Sequence, residues 1–150
     1  MNQFADKLAL ISITLWVGAL WAIGYLAAPT LFYHLPDRQL AGLLAGEMFT
    51  YVAYIGMVCG FYLLINRLSK FGGKAFKQSF FWAVLIMLFL TLAGHFGIAP
   101  IIAKLKADAM PADVMHSVFA NRFETWHGVA SVAYAMQSLL GLILVLKATR

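Results

Sequence analysis

The residues of this chain best suited to chemistry, its four histidines and five of its six acids, gather around two short connections. His34 and Asp37 follow the first apolar run. Glu47 stands near the start of the second, with Tyr51 and Tyr54 on its face. His95 lies toward the end of the third, one turn after Thr91. Asp108, Asp113, His116 and Arg122 occupy the connection to the fourth, which Glu124 and His127 open on one helix face. Three kinds of site fit such a set. In the first, Glu47, Arg122, Glu124, His95 and His127 stitch helix ends together by hydrogen bonds and ion pairs. In the second, His95 and His127 bind heme or a transition metal, with Glu47, Met110 or Met115 completing a metal shell. In the third, the same groups relay protons or hold a substrate, because ionisable groups near a membrane interior are functional candidates. The first carries the most weight. No HExxH or CxxC spacing, nucleophile triad, phosphate loop or paired hydrolase carboxylates accompany the cluster.

The elements that must position these residues are four stretches without Asp, Glu, Lys or Arg: 8–36, 48–66, 78–103 and 125–146. A bilayer core about 30 Å thick is crossed by roughly 20 apolar helical residues. Hydrophobic residues make up 63% of the chain and charged residues 11%, against about 25% charged in a soluble domain. The pattern predicts an all-α, four-helix transmembrane bundle: one integral domain, 1–150, with spans at about 8–32, 41–65, 80–98 and 124–146. The lipid bilayer is its first partner. No length remains for a soluble catalytic domain, so the chain is read as non-enzymatic. The net charge of +5 sits in short loops between spans, which argues topology and not nucleic-acid binding. The single cysteine, Cys59, is read as a small buried apolar residue. The first run exceeds the roughly 7–15 residues of a signal-peptide core, so it is expected to be retained as a span.

Lys7, Arg67, Lys70, Lys74, Lys77, Lys147 and Arg150 fall on the side of the termini; Arg38, Lys104, Lys106 and Arg122 fall opposite. Excess Lys and Arg mark the cytoplasmic side, so both termini are expected in the cytoplasm, with a bacterial inner membrane as the location. Pro36 makes a tight turn after the first helix, and Gly72-Gly73 break the second from the third. Met110-Pro111-Ala112-Asp113 reads as a helix start. With Met115, Phe119 and Phe123 recurring every fourth residue, it predicts a short interfacial amphipathic helix before the fourth span. No convincing internal repeat is visible.

At 100° per residue, Gly42, Gly46, Ala53, Gly56 and Gly60 share one face of the second helix. Small residues permit close helix approach in lipid, so this stripe is expected against another helix of the chain, with a homo-oligomer or larger membrane complex as the alternative. On the fourth helix His127, Ser131, Tyr134, Ser138 and Gly141 align. Polar groups in a span point inward to find partners. Glu47, Arg122, Glu124, His127, Ser131 and Tyr134 are therefore the candidate ligand-binding residues.

Three patches resemble a known family. One is Leu35-Pro36-Asp37-Arg38, followed by Gly42, Phe49, Tyr51 and Met57-Val58-Cys59-Gly60-Phe61. Another is Leu90-Thr91-Leu92-Ala93 with Pro100 beyond. The third is Phe123-Glu124-Thr125-Trp126-His127-Gly128, with Ser131 next on the face. They are similar to the transmembrane protein 205-like family, also described as domain of unknown function 4149. The resemblance implies a small four-helix membrane protein without an established biochemical role, and it singles out His127-Gly128. His95 departs from the family pattern, which weakens a heme held by two histidines. A looser likeness to copper-resistance D-type proteins and small heme-synthesis membrane oxidases is architectural only. The expectation is thus an outward-facing His/Glu pocket that binds a small ligand or ion, or that docks onto a membrane complex. The alternative is a heme- or metal-binding redox protein using His127 and perhaps His95.

Overall fold

In the computed structural model, which describes residues 3–148, the chain is 92% helical, with no strand among the described residues. Four helices are long and apolar enough to cross a membrane: α1 Gln3–His34, α2 Arg38–Lys77, α3 Ser79–Ala109 and α4 Ala120–Ala148. They outrun the expected spans. At 1.5 Å per residue the shortest is about 43 Å long, so helix ends project beyond a hydrocarbon core of about 30 Å.

Local chemistry sets the helix ends. Asp37 caps α2, its carboxylate accepting from the amides of Gln39 at 2.8 Å and Leu40 at 3.2 Å. Such a cap satisfies amides that have no partner within the helix. Gly72 ends the α-helical part of α2 with φ at +52°, a conformation that favours glycine.

The connection before α4 differs from expectation. In place of an amphipathic helix it forms turns and a single 3-10 turn, Val114–His116. The Asp113 carboxylate accepts from the Met115 amide, and the Ser117 hydroxyl from the Phe119 amide. Such local bonds compete with a helix. The apolar residues instead fold back: Leu105, Ala109 and Val114 form a small core with Phe119, Phe123 and Trp126.

α1 neighbours α2 and α4, and α3 neighbours the same two helices, so the bundle is square with α1 and α3 on a diagonal. The main core lies toward the end that carries both termini. It holds Ile13, Trp16 and Leu20 of α1, Cys59 and Leu63 of α2, Val84, Met87 and Leu88 of α3, and Leu144 of α4. Trp16 lies across Gly56 and Gly60: a Cβ on Gly56 would stand 2.5 Å from the indole Nε1, and one on Gly60 3.2 Å from the ring. At the terminal end, Lys70 pairs with Asp6, Lys147 donates to Ser79, and the Arg67 guanidinium lies 4.4 Å from the Phe80 ring centroid.

Two features recur in the two halves of the chain. α1 contains a π-helical segment, Ala22–Ala27, followed by Ala28-Pro29; α3 contains one, Ala93–Ile98, followed by Ala99-Pro100. A proline ring collides with the carbonyl four residues earlier. Those carbonyls belong to Tyr25 and Phe96, inside the two π segments, where a wider turn relieves the collision. α3 therefore continues past Pro100 to Ala109, eleven residues beyond its expected end at Ile98. Side-chain packing repeats too. Gly141 of α4 sits against Val17 of α1, and Gly60 of α2 sits against Leu88 of α3, each with its virtual Cβ 3.1 Å away. The α1–α2 hairpin and the α3–α4 hairpin thus share a π segment before Ala-Pro and a glycine packed against the other hairpin.

Candidate functional site

Two inward-facing stripes build the site. On α2 the stripe runs Gly42, Gly46, Ala53, Gly56, Gly60; on α4 it runs His127, Ser131, Tyr134, Ser138, Gly141. Toward the terminal end its members, Gly56, Gly60, Ser138 and Gly141, are buried. Toward the distal end Gly46, His127 and Ser131 are exposed, although they continue the same lines. Gly46 has nothing within 4 Å of its virtual Cβ. Beyond the π segments, packing stays within the hairpins: Ala28–His34 lies on α2, and Ala99–Ala109 lies on α4. Among the described residues, the hydrogen bonds that cross there are long side-chain reaches. Lys106 Nζ donates to the Gly42 carbonyl at 3.4 Å, and Gln39 Nε2 to the Pro111 carbonyl at 3.2 Å.

Where the hairpins part, a junction of aromatic and polar groups closes the bundle. The Tyr134 hydroxyl donates to the Leu20 carbonyl at 2.5 Å, just ahead of the first π segment. There the hydrogen-bond register changes and a carbonyl is open to an outside donor. The Tyr134 ring meets Phe49 edge-on at 5.3 Å and Tyr25 at 6.2 Å. Tyr25 donates to the Ser138 hydroxyl at 2.9 Å, and Ser138 donates to the Tyr134 carbonyl. On the neighbouring side the Thr91 hydroxyl, buried, shares its one proton between the Met87 carbonyl at 2.9 Å and the Gln137 side-chain oxygen at 3.0 Å.

His95 holds the place in the second π segment that Gly24 holds in the first. Two turns distal to Val17 and Leu88 come Gly24 and His95; two turns distal to Gly141 and Gly60 come Tyr134 and Ala53. Small Gly24 faces the large Tyr134 ring, whereas His95 meets aromatic rings. The His95 ring lies edge-on to Tyr54 at 5.1 Å and to Phe96 at 4.7 Å.

The expected cluster takes a different form. Glu47, Arg122, Glu124 and His127 are exposed. Among the described residues no hydrogen bond or ion pair joins Glu47, Arg122, Glu124, His95 and His127, and no group of three or more His, Cys, Asp or Glu side chains could hold a metal. The His127 ring stacks on Phe123 at 5.5 Å and 9°, and the His127 carbonyl accepts from the Ser131 hydroxyl. Of the candidate ligand residues, Tyr134 alone enters the junction. Sequence reasoning missed Trp21, Gly24, Tyr25 and Gln137. The signal that could have found them is the Ala-Pro pair following Gly-Tyr in α1 and His-Phe in α3.

A family model described as "Domain of unknown function (DUF4149)" matches residues 11–111. The match takes in the patches around Leu35–Phe61 and Leu90–Pro100 and stops short of Phe123–Gly128. No curated protein and no solved structure matches the chain.

Proposed function

The chain belongs to the DUF4149 family, and we propose that this member is a non-enzymatic membrane protein whose two hairpins part at the distal end to form a cleft for a small ligand. The cleft is lined by Gly46, His127 and Ser131 and floored by Tyr25, Phe49 and Tyr134. One observation carries the reading: on both stripes the exposed distal residues continue the lines of buried ones. A face turned inward yet exposed borders a space between helices. In this reading both termini are cytoplasmic and the cleft opens to the other side of a bacterial inner membrane, as the Lys and Arg bias supports.

Cysteine accessibility tests this. With Cys59→Ala as background, Gly46→Cys and Ser131→Cys should react with a membrane-impermeant maleimide added to sealed cells. Val132→Cys, at a position 63% exposed but off the stripe, should stay unlabelled in lipid. Labelling at 46 and 131 as low as at 132 rejects the cleft.

A further inference from the structure

We propose that the cleft takes an amphipathic anion, its carboxylate or phosphate head held by Lys106 and its apolar body resting on the Tyr25–Phe49–Tyr134 junction. This rests on the cleft reading above. Lys106 comes from α3, yet its ammonium reaches α2 on the inward stripe. A Cβ on Gly42 would stand 3.3 Å from Nζ. The cation therefore stands over the gap between the hairpins, one turn above the open space at Gly46. The other lysines with partners differ in kind: Lys70 has the Asp6 carboxylate, and Lys147 has the Ser79 hydroxyl. Lys106 has the long contact to the Gly42 carbonyl and the Phe123 ring, 5.9 Å away. Asp113 acts on it by charge from beyond ion-pair distance, and that carboxylate accepts from the Met115 amide. An ammonium has three donors. A partly buried one with no carboxylate at hydrogen-bond distance favours an anion, through charge-assisted hydrogen bonds.

The remaining geometry sets the body of the ligand. Phe49 lies two turns below Gly42 on α2, about 10 Å along the axis. Between them the stripe offers glycine and space; at the bottom it offers rings. An apolar portion about that long, a medium acyl chain or a compact ring system, spans from the cation to the junction. Glu47 lies off the stripe, about 140° around α2 from Gly42, so its charge is turned away from the head group.

The test uses the full chain in phosphatidylcholine nanodiscs, with Trp82→Phe and Trp126→Phe so that the change in emission reports Trp21, whose ring is 6.0 Å from Tyr25, over a constant background from Trp16, buried in the core away from the cleft. The probes are decanoate, decyl phosphate, decanol and decyltrimethylammonium. Decanoate and decyl phosphate should bind at least about tenfold more tightly than decanol, and the ammonium compound more weakly still. Lys106→Gln should bring the anions down to the level of decanol, and Lys106→Arg should restore them. Equal binding of anions and decanol, unmoved by Lys106→Gln but abolished by Gly46→Leu, overturns the head-group assignment and leaves the cleft standing. No response to any probe, with Gly46→Leu indistinguishable from the parent, overturns both. Adding phosphatidylglycerol to the nanodiscs separates the sources of the anion: competition with decanoate identifies a bilayer lipid phosphate, and its absence identifies a free amphiphile.

Discussion

Tyr134 occupies the space that a side chain on residue 24 would need. A Cβ on Gly24 would overlap Tyr134 Cε1, and the same tyrosine donates to the Leu20 carbonyl one turn earlier. Glycine in the first π segment is thus what lets α4 reach the backbone of α1 where the hairpins part.

Gly24→Ala should therefore expel the Tyr134 ring. Overpacking and the lost hydrogen bond together should cost about 2–3 kcal/mol. Tyr134→Phe, which keeps the ring, should cost about 1 kcal/mol or less, as interhelical hydrogen bonds in membranes do. Reversible unfolding in mixed micelles measures both. Equal losses would show that the hydroxyl, and not the space, governs the junction.

Two glycines on one stripe should behave in opposite ways. Gly56→Ala meets Trp16 Nε1 at 2.5 Å in the tightest part of the core, and should lower stability by about 1–3 kcal/mol. Gly46→Ala meets nothing within 4 Å and should be neutral, or stabilising by up to about 1 kcal/mol through helix propensity. Thermal melts of the two variants in the same detergent decide this; a destabilised Gly46→Ala would mean that its face is packed.

Thr91 and Gln137 join α3 to α4 through a buried hydrogen bond of 3.0 Å. Thr91→Val and Gln137→Leu should each destabilise, and the double variant should cost less than their sum. The coupling should be about 0.5–1.5 kcal/mol. A coupling near zero would remove this bond from the account of how the second hairpin is held.

His127 is exposed and stacked on Phe123 within its own helix. His127→Ala should cost under about 1 kcal/mol, as surface changes without a buried partner do. Unfolding in mixed micelles is again the measurement, and a loss above about 2 kcal/mol would reveal a partner that binds this face.

What was legible from residues alone was local. Uncharged runs mark the four helices because an unpaired charge is costly in lipid wherever it lies. Asp37 marks the start of α2 because its carboxylate needs only amides two and three residues on. The segment from Met110 to Phe119 misled because its apolar spacing fits a helix, while Asp113 and Ser117 spend the nearby amides on turns.

The amino-acid sequence by itself determined the fold class, the four helices, the glycine stripe of α2 and the polar stripe of α4, since all follow from hydropathy and helical period. Tertiary structure alone decided how those stripes are used. The stripe on α4 is buried at Ser138 and Gly141 and exposed at His127, because beyond the π segments α1 and α3 each pack within their own hairpin. The approach of Tyr134 to Gly24 and the reach of Lys106 to Gly42 join residues far apart in the chain. No local pattern encodes such contacts, which exist only once the two hairpins pack together.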